Sequence, residues 1–160
     1  MKYFTKFNLN FVTIWQKSKE QKMGLLKQLE ADYDLDIIED YLTHFGVMTG
    51  LLDKLIVNLS RDDEFDASSY ELNRIFHNIK TASEYLKLSP IVKLTTIVED
   101  ITNRLKSRRG AGATASNELI DWLLLVADQM QGYLDDIEND EIYLRILNPK
   151  IIAIPNEIFN

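Results

Sequence analysis

Through the middle of the chain, apolar residues recur three or four positions apart, the spacing of helices that each bury one face. Between Leu35 and Leu59 the stripe is Ile38, Leu42, Phe45, Met48, Leu52, Leu55 and Leu59. Gly46 and Gly50 interrupt it at a cost in helix propensity and are read as allowing close packing of a neighbouring helix. A polar loop is expected over residues 61–67. A second helix then opens on Ser68-Ser69-Tyr70-Glu71, the pattern of a capping box, and buries Leu72, Ile75, Phe76, Ile79, Ala82, Ser83 and Leu86.

Ser89-Pro90 restarts the chain, with serine as N-cap and proline at the first helical position. The third helix places Ile91, Leu94, Val98, Ile101 and Leu105 on one stripe. The run from Arg109 to Ser116, rich in Gly and Ala, reads as a loop. A fourth helix follows from about Asn117 to Ile137, with Ile120, Leu123, Ala127, Met130, Leu134 and Ile137 inward. Four amphipathic helices with short connections predict an all-α fold, an antiparallel four-helix bundle.

Both ends carry weaker patterns. Phe7, Leu9 and Phe11 alternate with polar residues, whereas Ile14, Trp15, Leu25, Leu26 and Leu29 fit a helix from about residue 10 to 31. Residues 1–32 are therefore expected to be a helical extension, 33–147 the bundle domain and 148–160 a tail. A short helix is expected over residues 141–147, stopped before Pro149. Ile151-Ile152-Ala153-Ile154, β-branched and between two prolines, admits an extended conformation.

Composition narrows the function classes. The 160-residue chain has no cysteine, which removes disulfides, thiolate metal sites and cysteine nucleophiles. A net charge of −7 argues against nucleic-acid binding, which rests on neutralising phosphates. No apolar run is long enough to cross a bilayer, and the start has no uninterrupted apolar stretch of a secretory signal. A cytoplasmic protein with no membrane or nucleic-acid partner is expected. The basic run Lys106-Ser107-Arg108-Arg109 fits a helix end. The acidic clusters lack the spacing and turn glycine of a calcium loop, so no metal ligand is expected.

Chemistry gathers on the second helix. At 100° per residue, Asn73, His77, Lys80, Thr81 and Glu84 form a polar face opposite the buried stripe. A neutral imidazole keeps one lone pair near pH 7 and can accept a phosphoryl group and surrender it again. Lys80, one turn on, offers a cation for such a group. A carboxylate on the other ring nitrogen would fix the tautomer. Glu99, which follows Val98 on the third helix, could be that carboxylate if the two helices are neighbours. His44, beside Phe45, is read as an ordinary packing or surface histidine.

The stretch from Phe76 to Leu88, FHNIKTASEYLKL, resembles the phosphorylation-site helix of the histidine-phosphotransfer (HPt) family. It is most similar to the phosphotransfer domain of chemotaxis-type histidine kinases, whose pattern is His-x-x-Lys-Gly, four variable residues, a hydrophobic residue and a glycine. His77, Lys80 and Leu86 match the phosphoacceptor, the lysine and the hydrophobic position. Leu94 to Ile101, LTTIVEDI, resembles the family's Leu-x-His-x-x-Glu-Asp-Leu segment and puts Glu99 on the glutamate that bonds the histidine. Glu118 to Leu124 is similar to the helix after the family's long loop. Three positions depart from the pattern: Thr81 and Lys87 stand in place of glycines, and Thr96 in place of a histidine. A β-branched Thr81 could obstruct a docking partner. Its hydroxyl could instead bond to a carbonyl four residues earlier or to a phosphoryl oxygen.

The resemblance implies a phosphorelay intermediate with His77 as phosphoacceptor, Lys80 stabilising phosphoryl charge and Glu99 orienting the ring. Asn73, Thr81 and Glu84 would meet the partner, a response-regulator receiver domain or a hybrid histidine kinase. No cofactor is implied for this chain, since magnesium would come with the receiver. No glycine-rich phosphate cradle is present, so the chain is expected to be a carrier rather than an ATP-dependent kinase. The alternative is a degenerate HPt-fold module that docks a receiver or kinase without transfer.

Overall fold

A computed structural model describes residues 22–160, and these are all-helical apart from loops and one isolated bridge between Ala115 and Phe159. The helices are α1 (Leu25–Asp32), α2 (Leu35–Asn58), α3 (Asp62–Tyr85), α4 (Ser89–Lys106) and α5 (Asn117–Glu138), with a 3-10 turn over Pro149–Ile152. Among the described residues no helix is long and apolar enough to cross a membrane. Helix α3 packs along α4, while α2 packs against both α3 and α5.

The buried faces follow the apolar period. Phe45, Leu52 and Ile56 of α2, Leu72, Ile75, Phe76 and Ile79 of α3, and Ile91, Val98 and Leu105 of α4 join one core with Leu123, Val126 and Met130 of α5. Burying each such side chain stabilises the fold by about 1.5–3 kcal/mol before entropy is counted. The buried Tyr41 hydroxyl meets Ser83 Oγ at 2.9 Å, joining α2 to α3. The glycines of α2 are not required by crowding. A methyl on Gly46 would meet Leu134 at 3.6 Å, an ordinary contact, and one on Gly50 would meet nothing.

Helix α3 begins earlier than the expected capping box. It starts at Asp62, so Ser68 and Ser69 lie buried inside it, and Ser69 Oγ donates to the Asp66 carbonyl. Three acidic residues, Asp62, Asp63 and Glu64, occupy the first turn, where the helix dipole favours them. Phe65, 1 % exposed, anchors this turn in the core. At the other end α3 closes in a Schellman motif. The Leu88 N–H donates to Ser83 O at 2.9 Å and the Lys87 N–H to Glu84 O at 3.1 Å. Lys87 takes the left-handed position, φ +57°, which glycine fills most easily. Helix α4 starts one residue before its proline, and Ser89 makes no side-chain cap. Ser116 caps α5, accepting from the Leu119 N–H.

Of the expected N-terminal helix, residues 10–21 lie outside the described residues, and the remainder is helical from Leu25. Its first donors are satisfied at a distance: Leu25 N–H by Glu141 O and Lys27 N–H by Asp140 Oδ1. The short helix expected over 141–147 does not form. A second Schellman motif ends α5, with Asp140 at φ +53° and bonds from Glu141 N–H to Asp136 O and from Asp140 N–H to Ile137 O. Asp136 then accepts both the Arg145 N–H at 2.7 Å and its guanidinium, while Gln129 binds Ile146 O and Asn148 N–H. The chain is thereby held extended along α5, and Arg145 lies so close over Gly132 that a Cβ there would fall 2.5 Å from Nη1. Residues 151–154, which admitted an extended conformation, begin in the 3-10 turn instead. Ile151 and Ile158 of the C-terminal segment enter the core.

Candidate functional site

His77 sits one residue after buried Phe76 and two before buried Ile79 on α3. That phase puts its side chain at the edge of the core face, where it is 59 % exposed. Glu99 occupies the same kind of edge on α4, directly after buried Val98, and is 17 % exposed. The two helices bring His77 Nδ1 to 2.7 Å from Glu99 Oε1, and Lys80 Nζ to 2.8 Å from Glu99 Oε2. One carboxylate therefore bridges the histidine and the lysine from the neighbouring helix.

The electrostatics keep Glu99 ionised. The Lys80 hydrogen bond first, then that of His77, hold the Glu99 carboxyl below the ordinary carboxylate range, against the opposing effect of burial. Glu99 reciprocally raises Lys80. An ionised carboxylate can only accept, so the proton of this contact resides on His77 Nδ1. In the neutral ring the Nε2 lone pair then lies on the far side, the tautomer a nucleophilic imidazole needs.

Of the other expected site residues, Thr81 is exposed and its Oγ1 donates to the His77 carbonyl at 3.0 Å. Of the roles open to that hydroxyl, the structure shows the bond four residues back. Glu84 is exposed, and its charge contributes to raising Lys80.

Asn73 is not on the outer face. It is 8 % exposed, and Nδ2 donates to Thr102 Oγ1 and Asn103 Oδ1 while Oδ1 accepts from Lys106 Nζ at 2.8 Å. The residue expected to meet a partner instead ties α3 to α4. Its helical angle lies between the buried and polar faces, and the acceptors that draw it inward belong to another helix.

Sequence reasoning missed a groove. An open depression of about 660 Å³ runs between α2 and α3, floored by apolar residues such as Tyr41, Phe45 and Ile79. His77 and Thr81 line it from α3, and His44 from α2, so His44 shares a surface with the candidate nucleophile. The signal was the Ile37–Tyr41–His44–Met48 spacing, which gains meaning only once α2 and α3 are known to be neighbours. Among the described residues no group of three or more His, Asp or Glu is placed to hold a metal ion. The chain matches no protein-family model, and no curated protein or solved structure matches it.

Proposed function

We propose that this chain is a phosphoryl carrier of the histidine-phosphotransfer type, an antiparallel four-helix bundle that acts in the cytoplasm and relays a phosphoryl group through His77. The observation that carries the reading is the Glu99 bridge: one ionised carboxylate holds His77 Nδ1–H and Lys80 together and leaves Nε2 as the free nucleophile. In the forward step the Nε2 lone pair attacks the phosphorus of a receiver's aspartyl phosphate. The bond to the aspartyl oxygen breaks, and that carboxylate leaves with the electron pair. His77 keeps its Nδ1 proton, so the phosphorylated ring gains positive charge, which the Glu99 carboxylate balances. Transfer onward reverses these bonds at a second aspartate.

Lys80 adds a cation one turn from the ring and also fixes Glu99 in place. The groove beside His77 offers the receiver an apolar seat. Magnesium would be brought by the receiver and is not asked of this chain.

A second reading is supported by Thr81. The residue lines the groove beside His77, where a docking partner would approach, and its β-branched bulk favours a module that binds a receiver or kinase without transfer. Incubation with phosphorylated receiver domains separates the two. Acid-labile, base-stable phosphate that disappears in His77→Gln is the expected result. Labelling that survives the substitution removes His77 as acceptor, and binding without labelling by any receiver leaves the docking module.

A further inference from the structure

The groove between α2 and α3 continues into an acidic recess. Ile37 and Tyr85 line both, and Glu30, Asp32 and Asp34 surround the second. An occupant that suits the pair is apolar and aromatic along one stretch and cationic along another. Residues 1–21 have that composition. Phe4, Phe7, Phe11 and Trp15 are spaced three, four and four apart, the anchor spacing of a helix laid into a groove. The same segment carries Lys2, Lys6, Lys17 and Lys19 against Glu20 alone, in a chain whose net charge is −7.

We propose that residues 1–21 dock in this groove of their own chain, aromatic stripe against its apolar floor and lysines toward the acidic recess, and so cover the flank of His77.

The attachment point permits it. The described chain starts at Lys22, just before α1, and the far end of α1 reaches the groove: Tyr33 OH donates to Tyr85 O at 3.0 Å. The eight residues of α1 span about 12 Å. Twenty-one residues reach roughly 70 Å when extended and about 30 Å as a helix, so neither conformation limits access. Being tethered, the segment competes at an effective concentration in the millimolar range. A receiver must displace it, and its apparent affinity falls by the fraction of molecules with the groove open. This competition rests on the phosphotransfer reading; the docking itself does not.

The absence of cysteine makes the test direct. A nitroxide on Asn10→Cys in the full chain is expected to broaden the amide signals of Ala82, Tyr85 and His44, with the effect unchanged on dilution. Adding Trp15→Ser with Lys17→Glu should abolish that broadening while the remaining spectrum stays folded. Three results overturn the proposal: no broadening, broadening confined to the exposed Tyr143–Ile146 surface near Lys22, or broadening that grows with protein concentration, which marks a second copy. In a separate measurement, Trp15→Ser should tighten receiver binding by roughly tenfold if the groove of the parent is open about a tenth of the time. Unchanged receiver affinity in a variant that has lost the broadening overturns the competition. If no receiver binds either protein, the phosphotransfer reading fails while the broadening still decides where the segment lies.

Discussion

His77 Nδ1 and Glu99 Oε1 lie 2.7 Å apart across the α3–α4 interface, a contact between residues 22 positions apart in sequence. The carboxylate accepts the proton of ring Nδ1 and, on the proposed phosphotransfer reading, would balance the charge the ring acquires. Glu99→Gln keeps the size but supplies a neutral amide. Phosphoryl transfer to His77 is expected to slow by about 10–100-fold, the range for losing a carboxylate that orients a histidine. Nitrogen NMR should record a shift of the ring away from a pure Nδ1–H tautomer. A rate within a factor of two of the parent would remove Glu99 from the mechanism.

Lys80→Ala removes the hydrogen bond that does most to keep Glu99 acidic. The Glu99 carboxyl should then titrate closer to its ordinary value, as read by carbon NMR. A depressed carboxylate stabilises the fold above its unfolded-state value, and that contribution is lost as pH falls through the folded-state value. In the parent, Glu99 therefore loses its contribution below the ordinary carboxylate range. In the variant the contribution is smaller and ends at higher pH. Identical acid-unfolding profiles for the two proteins would contradict this.

Asn73→Leu tests the α3–α4 tie. It leaves Lys106 and the Thr102 hydroxyl short of a partner, and a cost of about 1–3 kcal/mol is expected in denaturant unfolding. Receiver binding should not change, because the side chain is covered. A binding defect without a stability loss would restore Asn73 to the docking surface.

Thr81→Gly removes both the methyl beside His77 and the bond to its carbonyl. Helix propensity predicts a stability loss of about 0.3–0.5 kcal/mol. If docking is hindered by the methyl, transfer speeds up severalfold despite that loss. Thr81→Ser, which keeps the hydroxyl, should give a similar gain at less cost. A rate that is unchanged or lower in both variants discards the steric role.

Lys87→Gly should stabilise the chain. The residue sits at φ +57°, and relief of a non-glycine side chain there is worth about 1 kcal/mol, read as a higher unfolding midpoint. Transfer by His77 should be unaffected. A loss of stability would mean that the lysine stem packs to more effect than its backbone costs.

Much of this organisation is written locally. The stripes of α2, α4 and α5 are legible because their apolar period coincides with the buried faces. Glu99 could be assigned from its place beside Val98. The start of α3 was not legible: Ser68-Ser69-Tyr70-Glu71 has the letters of a capping box, yet burial of Phe65 carries the helix back to Asp62. Asn73 and the groove were hidden for a common reason. Each depends on what a second helix supplies, Thr102 and Lys106 in one case and Tyr41 with His44 in the other. Residues 141–147 were misread because Arg145 answers to Asp136 rather than to its own neighbours.

The link between α3 and α4 is only Leu86, Lys87 and Leu88, locked by the paired bonds of the Schellman motif. It acts as an indexing pin for the two helices. One residue inserted there would break the paired bonds that fix how α4 leaves α3 and so draw Glu99 off the imidazole. The loop over residues 109–116 leads from the far end of α4 to α5, lies outside the α3–α4 link, and can lengthen without disturbing that alignment. An added residue should therefore be absorbed by the later loop of this chain, while the three-residue link must keep its count.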